Sequence, residues 1–238
     1  GNDFLPHFPS VNIRTNGVDI MLEAYKEVIG KTNQNLTNGK KIYWKNVRKL
    51  VKFLADNEYD NLMDEYQIRQ KWERRSFKCK TVEEKKDRYL HIPIKNREIE
   101  KYINPYEKFW QKRYYETLFN TDETHEFKKE VSVNFMEGLE WVMNYYTKGC
   151  VDWRWHYRYN YPPLFNDLLK FIPSFDTIMI EPNNHTNVSP YVQLSYVLPI
   201  ESLPLIPNNI GEKLLKERGE YYTDQYDIKW AFCKFMWE

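Results

Sequence analysis

EGLEWVMNYYTKGCVDWRWHYRYNYPPL, residues 137–164, decides how the rest of the chain is read. It starts as an amphipathic helix: Leu139, Val142, Met143 and Tyr146 recur at spacings of three and four, the period that lines one helical face. Gly149 then offers a stop, because glycine takes the left-handed conformation that ends helices without steric cost. Beyond it Trp153, Trp155, Tyr157, Tyr159 and Tyr161 fall on every second residue, with Arg154, His156, Arg158 and Asn160 between them. Such alternation reads as extended backbone with one buried face. Pro162 and Pro163 close the run before a second strand could pair with it. Two readings are open. The run is an aromatic wedge packed into a helical core, or it is a platform on which unpaired bases stack, with flanking cations on the phosphates.

Working outward, the helical period recurs. Residues 17–29 place Ile20, Met21, Ala24 and Val28 on one face, with Gly30 after them. Residues 45–57 repeat the pattern through Val47, Leu50, Val51 and Leu54, and residues 59–75 continue it with a strongly charged outer face. Residues 104–119 predict a helix with Pro105 near its first turn, and residues 126–147 form the long central helix. Short helices are expected after Leu164, after Ser189 and over 211–218. Residues 31–40 read as a surface loop. The lysine- and glutamate-rich run 78–88 reads as a solvated or poorly ordered loop. The fold expected is mainly α, an irregular multi-helix domain with extended aromatic segments.

Composition limits the function classes. The chain has 238 residues, 42% of them hydrophobic and 17% aromatic, so aromatic side chains must supply much of the core. With 35 basic and 34 acidic residues the net charge is +1, and nucleic-acid binding would have to come from local patches. Cys79, Cys150 and Cys233 are far apart and fit free thiols in a reducing compartment. No run approaches the ~18 apolar residues of a membrane span. Zinc-ligand spacings, Gly-rich phosphate loops and nucleophilic serine motifs are absent. Asp60, Asp64 and Glu65 read as a solvated acidic helix face, and Lys112 and Arg113 as weak candidates for phosphate contact.

The 137–164 string resembles the helical half of the conserved core of Xrn-type 5′→3′ exoribonucleases. In that family a helix of the form EGLxWVxxYYxxG is followed by an S/D-W-x-W-x-Y-x-Y-x-Y-x-P-L run. Four more stretches resemble the same core: GNDFLPH at 1–7, FWQKRYYETLF at 109–119, SPYVQLSYVLPIESLPLIP at 189–207, and the closing region 221–238, where Tyr226, Ile228, Trp230, Phe232 and Phe235 read as packing residues. Asp152 stands where serine is typical. Taken alone, an Asp in a G-N-D-F turn bonds its own backbone or meets a metal. The resemblance implies that Asp3 is a catalytic metal ligand for Mg²⁺ or Mn²⁺, hard cations that suit carboxylate oxygen. Asn2 and His7 belong to the same motif, with His7 a hydrogen-bonding residue of the loop.

The resemblance implies residues 1–16 as the end of a nuclease-domain metal motif and residues 17–238 as the helical domain. The remaining carboxylates and a basic pocket for the 5′-monophosphate are expected in an N-terminal nuclease region of the same protein. The chain thus reads as a segment of a longer enzyme that hydrolyses 5′-monophosphorylated single-stranded RNA to mononucleotides, and is inactive alone. Trp155 and Trp153 are the stacking candidates, with Arg154, Arg158, His7 and Asn2 as further substrate contacts. The setting expected is intracellular, cytoplasmic before nuclear. A flap-endonuclease-like DNase and a catalytically silent helical RNA-binding or scaffold protein are the alternatives.

Overall fold

A computed structural model describes residues 1–91 and 95–222. Among these residues there are ten α-helices and no strand, as the mainly α reading expects; one antiparallel bridge joins Thr37 and Ile42. The closing aromatic residues from Tyr226 to Phe235 lie outside the described residues. The chain divides into two compact units, residues 1–183 and a smaller one beginning at residue 184.

In the first unit, α1 (Gly17–Tyr25) runs into a π-helical turn (Lys26–Gly30) that sinks Ile29 beside Ala24. Helix α2 (Trp44–Asp56) buries Leu50, Val51, Leu54 and Ala55. Helix α3 (Glu58–Glu73) follows after Asn57, then α4 (Val82–Leu90), α5 (Glu98–Ile103) and α6 (Trp110–Phe119). The central helix α7 (His125–Thr147) starts on Thr124, whose hydroxyl accepts the Phe127 N–H. Gly149, at φ +99°, turns the chain away beyond its end. Helix α8 (Phe165–Phe171) closes the layer against α2 and α7. Two clusters fill the interior. One joins Leu5, α1, α2, α7 and α8; the other joins Leu62, Tyr66, Trp110, Tyr114, Tyr115, Tyr161 and Leu164.

The short α8 is held at both ends by side chains from elsewhere. The Glu58 carboxylate accepts the N–H groups of Phe165 (2.6 Å) and Asn166 (3.1 Å) at its start. The Arg48 guanidinium donates to the carbonyls of Leu169 (2.5 Å) and Ile172 (2.8 Å) at its end. An acid at the N-terminus and a base at the C-terminus satisfy orphan backbone groups and complement the helix dipole. In the second unit, α9 (Pro190–Val197) is capped by Ser189 and α10 (Ile210–Arg218) packs against a 3₁₀ turn (Ile200–Leu205).

Four sequence expectations change. Helix α6 begins at Trp110 rather than Asn104. A residue before proline is disfavoured in the α region, and Asn104, preceding Pro105, sits at φ +40° and breaks the helix there. The run 78–88 contains α4 rather than a loop, because Thr81 and Glu84 form a reciprocal capping box. Tyr146 is 68% exposed; α7 instead buries Val131, Phe135, Met136, Glu140, Trp141 and Asn144, being enclosed on several sides. Asp60 and Asp64 are exposed as expected, but Glu65 is buried and accepts the Thr15 hydroxyl.

The second unit adds α9 with no buried side chain, and Leu203 and Ile206 inside the 3₁₀ turn and its exit. No helix among the described residues is long and apolar enough to cross a membrane.

Candidate nucleic-acid interface

The first seven residues form a tight loop held by Asn2. Its side-chain oxygen accepts the N–H groups of Phe4 and Leu5, both at 2.9 Å, and its own N–H donates to Leu5 O at 3.0 Å. Asn2 is therefore engaged in shaping the loop, and Asp3 is left exposed at its tip. The loop is seated on α7. Leu5 lies so close that a Cβ on Gly138 would stand 2.5 Å from its Cδ2 and 2.8 Å from the Trp155 indole. Glycine at 138 lets the loop and the aromatic run reach the same turn of the helix.

Phe4 then places its ring 5.0 Å from Trp141 and 5.2 Å from Tyr145. These two residues, one helical turn apart, stack at 5.2 Å and 9°. Trp155 continues the stack on the other contact of Trp141, at 5.5 Å and 24°. One indole thus joins the loop that carries Asp3 to the first inward residue of the aromatic run. Trp141, Tyr145 and Phe4 are absent from the sequence-derived site. The i, i+4 pairing of Trp141 and Tyr145 is legible there, but the third and fourth partners come from distant segments.

Residues 153–154 form a turn and 155–159 run on in neither helix nor strand, and α7 supplies the partners a strand would give. Arg158 N–H donates to Asn134 Oδ1 at 2.9 Å, while the Trp141 indole N–H donates to Asp152 O at 2.9 Å. Asp152 Oδ1 in turn accepts the Arg154 N–H at 2.8 Å, and the Tyr157 hydroxyl donates to Tyr161 O at 2.8 Å. The alternation read from sequence holds for Trp155, Tyr157, Tyr159 and Tyr161, which face inward, and for Arg154, His156, Arg158 and Asn160, which are exposed. Burial pushes the Tyr157 hydroxyl far above its ordinary range. Trp153 departs from the alternation: it is 54% exposed and makes no ring contact with another described residue.

Among the described residues the Trp155 indole N–H is buried without a hydrogen-bond partner. Arg154 and Arg158 stand on the solvent side, Arg158 at 6.0 Å from the Tyr159 ring. His7 is half-buried. Arg113 is structural: its guanidinium donates to the carbonyls of Tyr102, Ile103, Asn104 and Lys108 and ties α6 to the end of α5. Lys112 is exposed and pairs with Glu116 at 3.5 Å.

For a divalent cation the described residues offer an incomplete set. No three His, Cys, Asp or Glu side chains among them converge, and Asn2 Oδ1 is already taken by two N–H groups. Asp3 presents one exposed hard-oxygen donor of the kind such a cation takes.

The profile described as the Xrn1 helical domain matches residues 1–104 and 84–238. The chain belongs to the Xrn family. A 5′-3′ exoribonuclease 2 homolog of Drosophila melanogaster is 25% identical across all of this chain and 31% of its own length. The 5′-3′ exoribonuclease 2 of Gallus gallus is 24% identical across the whole chain and 32% of its length. That of Neurospora crassa is 34% identical over 57% of the chain and 13% of its length. This Xrn-family chain therefore spans about a third of the relatives it matches from end to end, and those relatives are named as exoribonucleases.

Proposed function

We propose that this chain is the helical part of a metal-dependent 5′→3′ exoribonuclease that degrades 5′-monophosphorylated single-stranded RNA processively to mononucleotides. The observation that carries the reading is the Phe4–Trp141–Trp155 contact chain, which seats the Asp3 loop and the aromatic run on one turn of α7. Asp3 contributes one ligand to Mg²⁺ or Mn²⁺, and an N-terminal nuclease region of the same protein contributes the rest. When bound, the metal supplies Lewis-acid stabilisation and an activated water at the scissile phosphate. Trp155 and Trp153 offer faces to unpaired bases, since every base has a π-face. Arg154 and Arg158 hold phosphates beside them, and His7 borders the entrance. The isolated segment, with one ligand, is inactive. The free thiols Cys79 and Cys150 fit the intracellular, foremost cytoplasmic, setting that goes with this reading.

The test uses the parent protein with Mg²⁺ or Mn²⁺ and single-stranded RNA bearing either a 5′-monophosphate or a 5′-hydroxyl. Mononucleotides are expected from the phosphorylated RNA alone. Asp3→Asn should lower the rate by about 100-fold or more, the scale of losing one charge-stabilising contact at the reacting centre. Unchanged activity in Asp3→Asn removes Asp3 from the metal site. No degradation under any condition turns the reading to a silent helical scaffold.

A further inference from the structure

Residues 71–91 form an arm whose charge is sorted by the fold. It has eight basic residues between Lys71 and Arg88 and four acidic ones, against +1 for the whole chain. The four acids are all engaged locally. Glu73 pairs with Arg97 (3.0 Å) and with Lys101. Glu84 accepts the N–H groups of Lys80 (2.8 Å) and Thr81 (3.2 Å) in the capping box. Asp87 faces His91 (3.2 Å) and Arg75 (3.8 Å). Glu83 is exposed at the same helix start, where its own backbone N–H and the Thr81 hydroxyl lower its pKa below the ordinary carboxylate value.

The cations are distributed the other way. Lys71, Arg74, Lys78, Lys80, Lys85 and Lys86 are all exposed, and none is in an ion pair with a described residue. The arm is also fixed rather than loose. Phe77 is clasped by Arg75 (4.9 Å), Lys95 (5.7 Å) and His91 (4.9 Å). Lys95 in turn donates to the carbonyls of Glu73 and Arg75. Trp72, 38% exposed, and Tyr89, 41% exposed, stand among the lysines.

We propose that this arm is a second nucleic-acid-binding surface, separate from the aromatic run at 153–161, that grips the phosphate backbone of single-stranded RNA without reading its sequence. Six cations unpaired among the described residues, on an ordered support, make a local positive field in a chain that has almost none overall. Counterion release from the bound strand supplies affinity for such a field. Exposed Trp72 and Tyr89 favour a nucleic acid over an acidic peptide, because bases stack on aromatic faces and carboxylates do not. The proposal does not require that the chain belong to an active nuclease.

The test is fluorescence anisotropy of the 238-residue chain with a 5′-hydroxyl single-stranded RNA, which takes 5′-end chemistry out of the measurement. The comparison is with the variant Arg74→Gln, Lys78→Gln, Lys85→Gln, Lys86→Gln, made both alone and on an Arg154→Gln, Arg158→Gln background. All four arm positions are exposed, and an unchanged circular-dichroism melt confirms the fold. At about 50–200 mM salt the arm variant should bind at least ten-fold more weakly in both backgrounds. Four lost phosphate contacts should make the slope of log affinity against log salt shallower by about 3. Equal affinity and slope for the arm variant and the unaltered chain would overturn the proposal. So would a poly-glutamate peptide that binds the arm as tightly as RNA does, which would reassign it to an acidic protein partner.

Discussion

Helix α2 and helix α3 are separated by a single residue, are both rich in charge, and use it in opposite ways. In α2, Leu50, Val51, Leu54 and Ala55 go inward while Lys45, Lys52 and Asp56 stay in solvent. In α3, Glu58, Glu65 and Arg69 are buried beside Leu62 and Tyr66. Each of these charges meets a partner from a distant segment. Glu58 meets the start of α8, and Glu65 meets Thr15. Arg69 meets Glu100 of α5 at 2.7 Å, and Glu100 also binds Arg97, which lies 4.8 Å from the Tyr66 ring. A charged helix face is thus an exposed face only when no other element brings its counter-charges. Helix α2 organises the fold through area removed from water; α3 organises it through matched polar groups, which stabilise only while complete.

The largest effect should come from breaking the α3–α5 match. Glu100→Leu takes the shared carboxylate from Arg69 and leaves Arg97 paired with Glu73, and removing one partner of a buried ion pair costs about 3–5 kcal/mol. Urea denaturation of the chain reads this as a lower midpoint. Changing all three residues together, Arg69→Met, Arg97→Met and Glu100→Leu, should recover part of the loss, because apolar replacement of buried ion pairs is often neutral or better and Glu73 keeps Lys101 as its partner. A Glu100→Leu cost under about 1 kcal/mol would mean that the pair behaves like a surface one, and the contrast between α2 and α3 would collapse.

Next comes the pH dependence carried by Glu58. Burial raises its pKa from 4.5 to about 7, against the opposing pull of the Phe165 and Asn166 hydrogen bonds. Because the folded state holds the proton more tightly than the unfolded chain, the contribution to stability is complete below about pH 4.5. It is lost as pH rises towards 7, by about 3 kcal/mol in all for this group. In the variant Glu58→Gln this pH-dependent part disappears, and the stability profile between pH 4.5 and 7 flattens accordingly. A profile identical to that of the unaltered chain would show that Glu58 titrates no differently in the folded and unfolded states.

These cases also explain which parts of the molecule were legible. The apolar period of α2 names its buried residues directly, and the alternation after Gly149 names Trp155, Tyr157, Tyr159 and Tyr161 as inward. Hydropathy cannot name Glu58, Glu65 or Arg69, because a buried charge differs from a solvated one only in partners 31 to 108 residues away by chain. The same limit applies to the candidate site. Its residues in the 1–7 and 153–158 motifs are visible as local strings, but the Phe4–Trp141–Trp155 chain exists only once three segments meet on α7. Helix α4 failed to show for a different reason. It has almost no apolar period, and its signal is the Thr81-x-x-Glu84 box, a matter of capping rather than of burial.

Helix α4 supplies the smallest effect and the cleanest control, since it uses neither device of its neighbours. None of its described side chains is buried, and no buried charge pair anchors it. Its start is secured by Glu84 N–H on the Thr81 hydroxyl at 3.2 Å and by the Glu84 carboxylate on the N–H groups of Lys80 and Thr81. Thr81→Ala removes one half of that exchange at a typical cost of about 1 kcal/mol. Since α4 can open without exposing the core, the cost should fall on local opening rather than on global unfolding. Amide hydrogen exchange over 82–90 should therefore quicken by about five-fold, the factor that corresponds to 1 kcal/mol, while the urea midpoint stays put and Thr81→Ser restores protection. A shift of the midpoint comparable to that of Glu100→Leu would show that α4 is coupled to the buried network of α3 and α5. The arm would then be part of the core's stability, not an appendage carried by its cap, and its lysines would be held in place by the same charges that α3 buries.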